Sequence, residues 1–388
     1  MSFVPTKKFK AVHIHTDLKF ISEVDKFEGN SFNNQIVVFH NGLNECFVSD
    51  KILYFSKTRE GLRKALKVAE SADLVVLYDL DFIKSRFALN LPSDQLIAWR
   101  FFGHELYKLK TDEYFSDLTK NARGNRKQQV LKKKLVSLLS SFRSAIRWSF
   151  FAKDEFNQAK KRIDFFLGLF QEEYTQLCGL GFELPPFVRF PIRSYCCDPN
   201  TSNKEKYIII GNNRSPYNNH LDIINIIDSV KEHNNYIFYL LFNYGLEGDY
   251  SKKIREAVRF KSYFNVIEEF LPYDSFHGLY QKASAAVFNG FRQMAMTNIF
   301  IALTKGVKVY LNKKNIVTEW LRKEGFTVYY VDDLAGDLEN HNILLSPEAS
   351  KHNAEQFVKF IQSYTYEDFQ RNLGSVMIKN SYELSEKF

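Results

Sequence analysis

Four cysteines in 388 residues leave no material for a disulfide framework. Cys196 and Cys197 are neighbours, Cys46 and Cys178 lie far off, and the expectation is a reduced, cytoplasmic chain. No run of 18 apolar residues occurs, so no helix is expected to cross a membrane. The opening MSFVPTKKFK has no apolar stretch of the kind that a secretory leader needs. No short-period repeat is visible. Neither the GxGxxG dinucleotide pattern nor the GxxxxGK[ST] phosphate loop is present at the glycine-led loop 211–219. Acid is missing from one long interval: nothing acidic occurs between Asp117 and Asp154, while Lys120 to Arg147 carries nine basic residues.

What is present is core material and positive charge. The chain is 45% hydrophobic, holds 37 Phe and 21 Tyr, and has a net charge of +8. A globular protein of this length suggests two domains, and the charge suits an anionic partner. Within the acid-free interval Leu131, Leu135, Leu138, Leu139 and Phe142 recur at helical spacing. Lys127, Lys132, Lys133, Lys134, Arg143 and Arg147 lie among them, giving a basic amphipathic helix over about 111–160. Such a helix is either a membrane-surface element or a solvated face on a packed helix.

Strand-like and helix-like segments alternate through the chain. KAVHIH (10–15), QIVVFH (35–40), KILYFS (51–56), DLVVLY (73–78), QLIAWRFF (95–102) and RIDFFLGLF (162–170) read as buried strands of a parallel sheet. Residues 179–206 hold four of the nine prolines and end in a polar run, a linker composition. Alternation restarts with YIIIG, YIFYLLFN (236–243), FNVIEEF (264–270), SAAVFN (284–289), GVKVYLN (306–312) and TVYYVDD (327–333), and ends in an amphipathic helical tail. The expected fold class is α/β. Two Rossmann-like doubly wound domains (1–190 and 207–365) face a central cleft, joined by a linker at 191–206, with a helical tail at 366–388.

Ligands of open α/β sheets bind beyond the carboxyl ends of strands. The first such loop of the second half is GNNRSPYNN, residues 211–219, with four asparagines, one arginine and no acid. Gly211 allows close backbone approach, Asn212 and Asn213 follow, Arg214 offers a forked cation, and Asn218 or Asn219 is the expected N-cap before His220. These residues suit a phosphate; the same residues also build turns and caps with no ligand.

The loop with its flanks, GNNRSPYNNHLDII, resembles the phosphate loop of glycosyltransferase family 56, the TDP-N-acetylfucosamine:lipid II N-acetylfucosaminyltransferases. WRFFGHELYKL (99–109), RFPIRSYCCDP (189–199), EEFLPYDSFHGLYQKASAAVFNGFRQMAMTN (268–298) and KVYLN (308–312) are similar to that family's segments in the same order. The resemblance implies a GT-B fold, a nucleoside-diphosphate sugar donor (TDP- or UDP-linked, such as an amino-deoxy sugar), and an undecaprenyl-diphosphate-linked acceptor at the inner membrane face. It implies no required cofactor or metal, and gives the basic segment an anionic membrane surface to meet.

On this reading Gly211, Asn212, Asn213, Arg214, Asn218, Asn219 and His220 hold the leaving diphosphate. Asn289, Arg292, Gln293 and Thr297 add a second loop, and Tyr244 with Gly245 flanks the base or the sugar. The acceptor hydroxyl's base is expected to be Glu105 or His104, where the family carries Asp in place of Glu105; His15 and Asp17 of HIHTD are alternatives. His13 and His15 share a strand face, and no third metal ligand is evident. Asp79-Leu80-Asp81 imitates the metal motif of the GT-A class, but GT-A folds lack a second α/β half. A nucleotide-sugar 2-epimerase is the competing reading. A nucleic-acid binder is less favoured and no nucleic-acid partner is expected, because most aromatics sit within apolar strands.

Overall fold

The computed structural model describes residues 8–40, 51–123, 153–199, 201 and 203–385, with side chains excepted at 153, 154 and 381–385. The chain forms two compact units: 1–105 with 141–192 and 364–388, and 106–140 with 193–363. Each is built on one parallel sheet.

Among the described residues the first unit has seven strands: β1 (Phe9–His15), β2 (Phe32–Phe39), β3 (Ile52–Phe55), β4 (Leu74–Tyr78), β5 (Leu96–Arg100), β6 (Phe165–Gly168) and β7 (Phe187–Arg189). Their order is β3-β2-β1-β4-β5-β6-β7. The apolar runs give central strands buried on both faces; every residue of Leu74–Tyr78 is buried. The order of strands reverses between β1 and β4, so the loops after these parallel strands diverge and leave a crevice. Strand β7 lies inside the Pro-rich stretch read as linker. It pairs only with β6, and an edge position tolerates the neighbouring prolines.

Among the described residues the second unit has six strands: β8 (Glu205–Ile210), β9 (Ile237–Leu241), β10 (Phe264–Ile267), β11 (Ala283–Phe288), β12 (Lys308–Leu311) and β13 (Tyr329–Tyr330). Their order is β10-β9-β8-β11-β12-β13, with the reversal between β8 and β11. Ile208, Ile210, Phe238, Leu240 and Val287 pack against Ile223, Ile224 and Ile227 of the helix His220–Ser229.

The helical stretch expected over 111–160 is not one helix where it is described. A 3-10 turn over Lys108–Tyr114 is broken at Lys110 (φ −123, ψ 36). Phe115 is extended, and the helix Asp117–Ala122 starts afresh from Ser116, whose Oγ accepts from Thr119 N at 3.1 Å. Burial of Tyr114 and Phe115 fixes the chain path more strongly than helical periodicity does. The basic residues Lys127, Lys132, Lys133, Lys134, Arg143 and Arg147 lie outside the described residues.

The helix Tyr366–Ser385 completes the first unit's core. Phe369, Leu373 and Met377 bury against Phe27, Phe32 and Phe190. Gln370 Nε2 donates to Lys26 O (3.0 Å) and Glu28 O (2.8 Å). Among the described residues, no helix is long and apolar enough to cross a membrane.

Candidate functional site

In the second unit the loops after β8 and β11 flank the reversal of strand order. Two asparagines clasp them. Asn219 Nδ2 donates to Asn289 O and Asn289 Nδ2 donates to Asn219 O, both at 3.2 Å. Asn219 is the N-residue of helix His220–Ser229, at a left-handed φ of 47°, but its side chain does not cap that helix. Its amide instead donates to Tyr114 O (3.2 Å), and its Oδ1 accepts from Ser116 N (2.9 Å). Asn312 Nδ2 donates to Asn289 Oδ1 at 2.7 Å, so Asn289 is also engaged.

The remaining loop asparagines divide between building and offering. Asn213 Oδ1 accepts from Ser215 N (2.8 Å), closing an Asx turn, and from Asn218 Nδ2 (3.0 Å). Asn212 Nδ2 donates to Tyr244 Oη (3.1 Å), while its buried Oδ1 has no hydrogen-bond partner among the described residues. Gly211 sits at φ +66, and a Cβ there would meet His220 Nε2 at 2.8 Å and Asn218 Oδ1 at 3.2 Å. Glycine is therefore required twice, for conformation and for space.

His220 is fully buried, and burial lowers its pKa to about 3, so the ring is neutral. Its backbone N–H donates to Tyr250 Oη (2.9 Å), which also lies within hydrogen-bond distance of His220 Nδ1 (3.0 Å). The other ring nitrogen, Nε2, faces Gly211 and is buried without a hydrogen-bond partner among the described residues.

Arg214 does not stand alone. Nε donates to Phe242 O (2.9 Å) and the guanidinium pairs with Glu247, which also binds Arg255 at 2.6 Å. Arg255 and then Ser251 hold the Glu247 carboxyl down to about 2. The acid missing from the loop is thus supplied by the loop after β9. Arg292 is packed over Tyr217 (4.3 Å) and Tyr107 (4.9 Å), and its Nη1 donates to Gln293 O (2.7 Å). Thr297 Oγ1 accepts from Tyr195 Oη (3.4 Å) in the first turn of helix Met296–Thr304, which starts without a side-chain cap. Tyr244 stacks on Phe270 at 5.9 Å. Sequence reading missed Ser116, Glu247 and Tyr250; their partners are distant in the chain, and no local pattern marks them.

In the first unit Glu105 is fully buried and accepts from Trp99 Nε1 and Phe102 N, both at 3.2 Å. Half-exposed His104 places Nδ1 3.4 Å from Glu105 Oε2. Asp17 caps the 3-10 turn Leu18–Phe27. His15 ends β1, stacked on Tyr78 (3.9 Å), with neither ring nitrogen partnered among the described residues. Next to it, at the reversal between β1 and β4, Lys84 Nζ reaches Asp79 Oδ1 (2.8 Å), Asp81 Oδ2 (3.0 Å) and Thr16 Oγ1 (2.6 Å). Asp81 also caps the helix Phe82–Leu89 through Lys84 N (3.0 Å). Among the described residues no three His, Cys, Asp or Glu side chains gather as metal ligands.

No family model matches the sequence, and no curated protein does. Solved structures match nearly end to end. HepE of Anabaena, solved with UDP and glucose, superposes with a TM-score of 0.63 at 11% identity, covering 96% of this chain and 100% of its own. Sucrose-phosphate synthase of Thermosynechococcus elongatus gives 0.62 at 9% identity over 96% and 99%. AviGT4, a glycosyltransferase of avilamycin A biosynthesis, gives 0.55 at 10% over 96% and 98%. At such identities the likeness is one of fold: two parallel α/β units carrying a C-terminal helix, the GT-B fold of these glycosyltransferases.

Proposed function

We propose that the protein is a glycosyltransferase that takes a sugar from a TDP- or UDP-linked donor. It passes that sugar to a lipid-linked or polysaccharide-precursor glycan, as the resemblance to glycosyltransferase family 56 implies. The observation that carries the reading is the loop 211–219 at the strand reversal of the second sheet, where His220 packs closely against Gly211 and the buried Asn212 Oδ1 and His220 Nε2 have no hydrogen-bond partner among the described residues. Buried polar atoms without protein partners are rare in folded proteins, and a bound ligand is one way of satisfying them. The UDP and UDP-glucose held by HepE support a donor of the same class.

On this reading the second unit holds the donor. The backbone N–H groups of the two clasped loops face the diphosphate, with His220 packed behind Gly211, and Arg214 turns from Glu247 to the developing negative charge. No cofactor enters the reading beyond the donor itself. The acceptor falls to the first unit. The basic segment with Lys127, Lys132, Lys133, Lys134, Arg143 and Arg147 brings the enzyme to an anionic membrane surface on the cytoplasmic side.

A thermal-shift screen with UDP, TDP, GDP and CMP tests the reading. One nucleoside diphosphate raises the melting temperature, and Arg214→Ala reduces that rise relative to the variant's own ligand-free melt. A flat response to all four nucleotides would remove the donor site and the function with it.

A further inference from the structure

Arg214 is the one cation in the sequence of the loop 211–219, and two kinds of contact hold it. The inner part is fixed by the backbone that follows β9. Its N–H donates to Tyr244 O and its Nε to Phe242 O, both at 2.9 Å. Its stem lies against Gly245, where a Cβ would meet Arg214 Cγ at 2.8 Å. The outer end of the guanidinium is held by a side chain instead: Nη1 pairs with Glu247 Oε1. The Glu247 side chain is 51% exposed, so this pair stands at the surface of the loop.

Glu247 has other partners, and they grip it better. Arg255, on the helix Asp249–Val258, takes the carboxylate with both terminal nitrogens: Nη2 to Oε1 at 2.6 Å and Nη1 to Oε2 at 3.0 Å. Ser251 Oγ donates to Oε2 at 2.8 Å. Arg255 is braced in turn by Glu268, with Nε to Oε1 at 2.5 Å. A forked arginine–carboxylate pair is stronger and more strictly oriented than a single N–H contact. Glu247 also stands just before the N-terminus of that helix, where the helix dipole favours an anion. Arg214 and Arg255 share Oε1, and Arg214 is the dispensable partner. With Arg214 withdrawn, Glu247 keeps Arg255 on both oxygens and Ser251 on one.

We infer that Glu247 is a built-in anion that occupies Arg214 until the donor's diphosphate displaces it, and that Arg255 retains Glu247 when Arg214 leaves. Both are positioning residues: they act through Arg214 and touch no substrate. The inference rests on the transferase reading above, in which Arg214 meets the diphosphate. Carboxylate and diphosphate compete for one guanidinium, so a weaker hold of Glu247 on Arg214 means tighter donor binding, and a stronger hold means weaker binding. Removing the charge of Glu247 therefore helps the donor. Removing Arg255 leaves the carboxylate to Arg214 alone and hinders it. Ion pairs as exposed as this one are weak, which sets the expected effects at about 3–5-fold.

The test titrates the full chain with UDP and TDP by calorimetry, and with uridine, a probe that has no phosphate, by NMR. Glu247→Gln keeps the size of the side chain and loses its charge; it binds the diphosphate about 3–5-fold more tightly than wild type. Arg255→Met binds it about 3–5-fold more weakly. Uridine affinity stays within about twofold in both, which a general loosening of the loop would not allow. In an Arg214→Ala background the gain from Glu247→Gln disappears, because the residue through which it acts is gone. Glu247→Gln binding no more tightly than wild type, or keeping its gain without Arg214, overturns the inference, the second outcome being a field effect that bypasses Arg214. A wild-type chain that binds neither UDP nor TDP overturns the transferase reading and this inference together; binding with the wrong sign in the variants overturns the inference alone.

Discussion

Replacing Asn219 by alanine isolates what holds the loops of the second sheet together. The side chain is fully buried and makes three hydrogen bonds to backbone groups, at Ser116 N, Tyr114 O and Asn289 O. Alanine leaves all three unpaired in a place water does not reach. At about 1 kcal/mol or more for each stranded group, the loss is about 3–4 kcal/mol. The backbone at Asn219 has φ 47 and ψ 48, where alanine is worse than asparagine by about 1 kcal/mol. The total for Asn219→Ala is about 4–5 kcal/mol. Asn219→Gly keeps the hydrogen-bond loss and removes the conformational part, so it should be the milder variant by about 1 kcal/mol. Asn219→Asp should be at least as costly as alanine, because a carboxylate would face two carbonyl oxygens. Opening free energies from hydrogen exchange of the amides in helix His220–Ser229 measure the series. A loss below about 1 kcal/mol in Asn219→Ala, or glycine falling below alanine, would refute the clasp.

Gly211→Ala should abolish the UDP-induced thermal shift, because its Cβ meets His220 Nε2 at 2.8 Å and the backbone is at φ +66. A nucleotide titration of the variant checks it. His13 is fully buried, and burial, partly offset by Asn34, lowers its pKa from 6.5 to about 4. The unfolded chain takes up that proton first, so about 3 kcal/mol of stability present above pH 6.5 is lost as the pH falls toward 4. His13→Asn should flatten this acid limb in denaturation curves. Lys84→Met leaves Asp79 and Asp81 without their cation and should cost about 3–5 kcal/mol. Because the Asp79 pKa is already raised in the folded state, the deficit should be smallest in mild acid and grow as the pH rises through neutrality, read from melting temperatures across pH.

The strands were legible because buried parallel strands are written as continuous apolar runs: Leu74–Tyr78 and Tyr207–Ile210 leave no other reading. The helical stretch expected from about 111 is interrupted at the extended Phe115, where burial of aromatic side chains sets the chain path, and β7, three residues long, carried too little signal. At the loop 211–219 residue types pointed to phosphate, but their division of labour was not readable. Asn219 bonds to Ser116, 103 positions away, and Arg214 to Glu247, 33 away. Composition tells which groups a loop can offer; only tertiary contacts tell which are already taken. Asp79-Leu80-Asp81 was visible as a motif, while the single Lys84 that makes its two acids unequal became evident only from the ion pairs.

The helix Tyr366–Ser385 has a consequence for biosynthesis. The sheet it covers is complete in sequence by Arg189, yet Phe27 and Phe190 keep an open face until Phe369 is made. The second unit, by contrast, closes its core by Phe360, which packs on Phe300 and Trp320. The half that is translated later can therefore finish folding first. The first half then waits with an uncovered apolar face for that helix to arrive, an interval in which a chaperone has something to hold.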